Sequence, residues 1–75
     1  MDSSSSPDDV LEMEDLIELT AMHRLGVDRF NKRQYGDAEV LFKQVLAGRE
    51  EFLGTEHKDT LSTMHWLACV YECQQ

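Results

Sequence analysis

Apolar residues recur at helical spacing in three stretches of the chain. In the first, Val10, Met13 and Ile17 form one stripe, and Leu16, Leu19, Met22, Gly26 and Phe30 form a second that winds onward. With two apolar stripes, this segment is either one helix covered on more than one side, or it breaks near Glu18 into a capping helix and a separate helix. Ser6-Pro7-Asp8-Asp9 supplies a hydroxyl cap, a proline at the first helical position and an acidic residue three after the cap, so a helix is expected to start there. The polar run Asn31-Lys32-Arg33-Gln34 closes it, and Tyr35-Gly36-Asp37 is expected to form the turn. Ala38, Leu41, Phe42, Val45 and Leu46 then give the cleanest amphipathic pattern in the chain, running to Phe52 or Leu53, where Gly54 stops it. After a polar connector, a third helix begins around Lys58, with Leu61, Met64, Leu67, Ala68 and Tyr71 as its apolar side.

Gly26 is the anomaly in this pattern. A glycine inside a helix costs roughly 1 kcal/mol relative to alanine, which points to another helix approaching too closely for a side chain. Composition adds bounds. Seventy-five residues make at most one small domain, and MDSSSSPDD offers almost no apolar surface, so residues 1–6 are expected to be a disordered acidic, Ser-rich tail. The net charge of −8 disfavours nucleic acid and anionic membrane surfaces as partners. No apolar run reaches the ~18 residues that span a bilayer, and the first residues lack the basic start and apolar stretch of a signal peptide. A cytoplasmic protein is the default expectation. Cys69 and Cys73, four apart on a helix, leave successive turns with poor disulfide geometry and are expected to be reduced thiols.

Two sets of residues carry a resemblance. Met22, Leu25, Gly26, Arg29, Ala38 and Phe42 stand at the spacing of the tetratricopeptide signature, with Met22 and Arg29 where aromatics are usual. Met64, Leu67, Ala68 and Tyr71 repeat the first four of these places 42 residues later. Between the two copies, the stretch Leu53-Gly54-Thr55-Glu56-His57-Lys58-Asp59-Thr60-Leu61 resembles the junction of kinesin-light-chain-type tetratricopeptide repeats, with Lys58 where proline is usual. The resemblance implies an all-α fold of antiparallel helical hairpins in a solenoid. It divides the chain into a capping helix over 7–19, a first repeat over 20–53, a loop over 54–57 and the first helix of a second, truncated repeat over 58–75. About one and a half repeats result, and the apolar side of the third helix is expected to lie uncovered. Met22, Leu25, Gly26, Tyr35, Ala38, Phe42, Met64, Leu67, Ala68 and Tyr71 are the implied repeat-packing residues.

The function implied is a protein-interaction module or scaffold without catalysis or cofactor. Its partner is another protein or peptide, a basic one being favoured by the carboxylates Asp8, Asp9, Glu12, Glu14, Asp15 and Glu18. Self-association through the uncovered third helix is the other expected contact, and a truncated fragment of a longer array is the alternative reading. The implied peptide groove comprises Thr20, His23, Val27, Phe30, Asn31, Ser62, His65, Cys69, Glu72 and Cys73. With Asn31 as its only clamp-type residue and no cation, the groove fits a polar and apolar peptide or helix better than a terminal carboxylate. A metal or redox role for His65, Cys69 and Cys73 is a remote alternative: three ligands along one straight stripe cannot close tetrahedrally around an ion, even with His57 as a distant fourth. A Cys-His catalytic pair lacks an orienting third group.

Overall fold

The computed structural model describes residues 7–75, with side chains from residue 14 onward, and folds them into three helices: α1 (Pro7–Asn31), α2 (Tyr35–Leu53) and α3 (Lys58–Gln74). The expected tail and the Ser6 cap lie outside the described residues. α1 and α2 form an antiparallel hairpin; α3 returns along α2 and touches α1 less extensively. The fold is all-α, as the pattern predicts. The choice left open in the first segment resolves as one uninterrupted helix, so residues 7–19 extend the first repeat's helix and do not form a separate capping element.

Close approach in the hairpin rests on two glycines. A Cβ on Gly26 would lie 2.8 Å from Phe42 Cε1, and one on Gly48 would lie 2.7 Å from both Cδ atoms of Leu19. Each helix therefore seats a large side chain of one on a glycine of the other, an exchange that draws the axes together without leaving a void. Gly26 was legible as such a position; Gly48 was not, because it falls beside Arg49 at the polar end of its helix.

The turn between α1 and α2 departs from expectation. Tyr35, Gly36 and Asp37 form the first turn of α2, and the reversal occurs at Lys32, Arg33 and Gln34. Arg33 adopts φ 64, its N–H donates to the Phe30 carbonyl at 2.9 Å, and the Gln34 N–H donates to the Arg29 carbonyl at 2.8 Å. This pair of bonds is the Schellman closure, with arginine where glycine is the usual left-handed residue. The reason is tertiary: the Tyr35 ring meets the Phe30 ring edge-on at a centroid distance of 5.3 Å, which pulls the start of α2 back against the end of α1. Gly54 ends α2 at φ 93, with its N–H on the Glu50 carbonyl, and the His57 imidazole caps α3 by accepting from the Asp59 N–H at 3.0 Å.

The core is built from Ala38, Phe42 and Val45 of α2 and from Leu67 and Val70 of α3, with Val27, Phe30, Tyr35, Leu46 and Trp66 packed around it. The buried face of α3 is Thr60, Thr63, Leu67 and Val70, not the Leu61, Met64, Leu67, Ala68 and Tyr71 face its apolar pattern suggested. Of that predicted set only Leu67 is buried. α3 turns its threonines inward because a buried arginine from α2 meets them there.

Candidate interaction surface

The residues at the centre of the molecule decide which faces remain available. Arg49 is buried on α2 and donates through Nη1 to the Asp59 carbonyl at 3.0 Å and to Thr63 Oγ1 at 2.8 Å. Thr63 in turn donates to the Asp59 carbonyl at 3.2 Å, and His23 Nδ1 of α1 lies 3.4 Å from the same hydroxyl oxygen. A threonine has one proton to give, so with that proton on the Asp59 carbonyl the His23 contact requires Nδ1 as donor. All three helices thus meet at one polar junction. Burial first, and then the neighbouring Arg49 cation, hold the His23 imidazole below its ordinary value of 6.5, against the opposing Asp59 carboxylate. The imidazole is therefore neutral in the folded chain near pH 7.

Trp66 joins this junction to the aromatic part of the core. Its indole stacks on Phe42 at 5.9 Å and 19°, and meets Phe30 and His23 edge-on at 5.3 and 6.4 Å. The tryptophan lay outside the tetratricopeptide spacing and was missed by the sequence reading. As the chain's single tryptophan, next to a stripe rather than on it, it was nonetheless a visible candidate for the contact between first and third helices.

The expected groove residues divide into two groups. His23, Val27 and Phe30 are half-buried and engaged in packing: His23 against Phe42 and Trp66, Phe30 against Tyr35 and Trp66, and Val27 against the core. Thr20, Asn31, Ser62, His65, Glu72 and Cys73 are exposed, and Cys69 is half-buried with its sulfur 3.8 Å from His65 Nε2. Both cysteines are free thiols. Among the described residues no cavity is enclosed, and no group of three or more His, Cys, Asp or Glu side chains is placed to hold a metal ion.

The expected repeat-packing residues divide as well. Gly26, Ala38, Phe42 and Leu67 are buried and Met22 and Tyr35 half-buried, whereas Leu25, Met64, Ala68 and Tyr71 are exposed. Leu25, Met64 and Ala68 lie on exposed parts of α1 and α3, and Tyr71 borders Lys43 of α2. Beside Tyr71, Glu39 and Lys43 of α2 form an ion pair at 3.0 Å; Lys43 first and then Gln74 lower the Glu39 carboxyl, and Glu39 first and then Tyr71 raise the Lys43 amine.

Charge is unevenly placed. Residues 1–18 hold seven carboxylates and no lysine or arginine, while residues 19–75 hold eight carboxylates against seven cations. Nearly all of the net −8 therefore belongs to the leading segment and the repeat body is close to neutral.

A tight antiparallel hairpin with small residues at its seam, followed by a third helix that begins the pattern again, defines a helical-repeat protein. The tetratricopeptide repeat family matches residues 19–59, more than half of the chain, and the chain belongs to that family. The match begins at Leu19, which seats on Gly48, and ends at Asp59 in the Arg49 junction. Comparison with curated proteins and with solved structures yields no match. Tetratricopeptide repeats are protein-interaction elements, which fixes the class of function in general terms. Among the described residues no helix is long and apolar enough to cross a membrane.

Proposed function

We propose that this chain is a non-catalytic, scaffold-type interaction module of the kinesin-light-chain-like kind, which binds a basic, partly apolar peptide or helix on the side shared by α1 and α3. The observation that carries the reading is the separation of charge from contact surface. Thr20, Asn31, Ser62, Cys69 and Cys73 present a mixed face with Glu72 as the acidic member of the expected groove, while the carboxylates of residues 1–18 supply a field that draws a cationic partner toward it. The exposed side of α3 is a second contact face, suited to self-association. We assign the protein to the cytoplasm, where free thiols such as Cys69 and Cys73 stay reduced.

Trp66 gives the experiment its signal, since its indole lies half-buried where α1 and α3 meet. Titration with a lysine-rich amphipathic peptide should change its emission, and raising the salt from 50 to 500 mM should weaken the binding about tenfold or more. An acidic peptide of the same apolar pattern should bind far less. Equal response to both peptides, or to neither, rejects the basic-partner reading.

A further inference from the structure

We propose that two copies of this chain associate through the outer face of α3, packed antiparallel, with Lys58 of each copy set against Glu72 of the other. The proposal rests on the interaction-module reading above and gives its second contact face an occupant and a register.

The face is apolar and open. Leu61, Met64 and Tyr71 keep 48%, 44% and 39% of their surface exposed, and Ala68 is exposed between them. Their spacing of three, four and three residues is that of the a and d positions of a coiled coil, a seam that faces one partner helix along its whole length. The buried side of α3 repeats this spacing on a different stripe: Thr60, Thr63, Leu67 and Val70 also run three, four and three, and are already occupied by α2 and α1. The helix therefore carries two seams, one filled and one free.

Charge selects the direction. Lys58 lies at the first residue of α3 and Glu72 in its last turn, both exposed and flanking the free seam, and among the described residues neither is in an ion pair. Within a single helix this is the unfavourable arrangement, because the partial positive charge of the N-terminus disfavours lysine and the partial negative charge of the C-terminus disfavours glutamate. An antiparallel partner reverses the sense of the mismatch: Lys58 meets the Glu72 of the second copy, and the symmetry repeats the contact at the other end. In a parallel pair Lys58 and Glu72 would lie on opposite sides of the seam from their counterparts, and this contact would not form.

Size selects the same direction. In the antiparallel register Leu61 faces the second copy's Tyr71, and Met64 faces its Ala68, a long flexible side chain against a small one. In parallel register Ala68 would face Ala68 and leave a gap. The near-neutral charge of residues 19–75 lets two copies approach. Two 17-residue helices in contact along about 25 Å bury on the order of 1,000 Å², the floor of a specific interface, so the dimer is weak and concentration-dependent.

Sedimentation equilibrium of the full chain, over a concentration range from a few to several hundred micromolar, tests this. The expected result is a monomer–dimer equilibrium that Met64→Glu abolishes. Lys58→Glu and Glu72→Lys should each weaken the dimer about tenfold, and the double variant should return to within about threefold of the original. Both single changes improve the match to the helix dipole, so a weakened dimer cannot come from a weakened helix; circular dichroism should show helix content unchanged or higher. A charge-swapped double variant as weak as the singles overturns the antiparallel register. A chain that stays monomeric throughout overturns the dimer, and leaves the face to an amphipathic helix from another protein. Peptide binding read by Trp66 in the same samples separates the two readings: its persistence in a monomeric chain means that only the dimer fails, and a dimer that binds no peptide retains this proposal while the groove reading fails.

Discussion

The seam between the three helices is held in two different ways at its two ends. Toward the α1–α2 turn, Phe30, Tyr35, Phe42 and Trp66 pack ring against ring. Toward the α2–α3 loop, Arg49, Asp59 and Thr63 are linked by hydrogen bonds of 2.8 to 3.2 Å, with His23 completing the junction from α1. The aromatic end is held by apolar contact and tolerates small shifts, since dispersion falls off gradually with displacement. The polar end supplies direction. A buried guanidinium is tolerated only if its donors reach their acceptors, so Arg49 fixes the rotation of α3 about its axis as well as its position. A helix with two apolar stripes could dock on either, and the arginine decides which one goes inward.

Removing the aromatic centre should cost the most. Phe42→Ala takes away the ring that fills the space over Gly26 and stacks on Trp66, a loss of about 3 to 5 kcal/mol, as large as the net stability a chain of this size can carry. The variant should be largely unfolded by circular dichroism at 25 °C in buffer. Arg49→Ala should cost about 2 to 3 kcal/mol through the unpaired Thr63 and Asp59 acceptors and the lost packing. In urea titrations followed at Trp66, combining it with Thr63→Val should cost less than the sum of the single changes, because each removes the other's partner. Additive losses would show that the junction does not act as a unit.

Acidification probes the same junction more gently. The folded state lowers the His23 pKa, so it favours the neutral ring. The stability this contributes is complete above the unfolded value near 6.5 and is lost as pH falls from there toward the folded value. The urea midpoint should therefore drop as the pH falls below about 6.5, and His23→Gln should flatten that part of the profile. An unchanged slope in the variant would place the titration elsewhere. The smallest effect, and one of opposite sign, is expected at Thr60, whose buried hydroxyl has no hydrogen-bond partner among the described residues. Thr60→Val should raise stability by about 1 kcal/mol, read as a higher urea midpoint.

The aromatic and polar ends also differ in how far they could be read from the chain. Ala38, Phe42 and Val45 stand out as a helical stripe, and Gly26 as a close approach, because burial of apolar side chains at period 3.6 leaves its mark directly in residue order. Arg49, Thr60 and Thr63 carry no such mark. Each looks like a solvent-facing residue until a second helix brings their partners within 3 Å. The groove residues suffered from the same limit. Thr20, Ser62 and His65 are exposed as the repeat resemblance implies, but His23 and Phe30 are spent on packing against Trp66, a residue the signature does not include.

Residue order by itself determined the helix period, the stops at Gly54 and near Asn31, the family, and the existence of more apolar surface on the third helix than one docking face needs. These follow from local geometry, which depends on neighbours a few positions away. Only the tertiary structure decided that the first segment is one helix, that the turn closes on Arg33 instead of Gly36, and that α3 presents Thr60, Thr63, Leu67 and Val70 inward. Those outcomes depend on contacts between residues ten to forty positions apart, where a ring edge or a buried guanidinium outweighs the local preference.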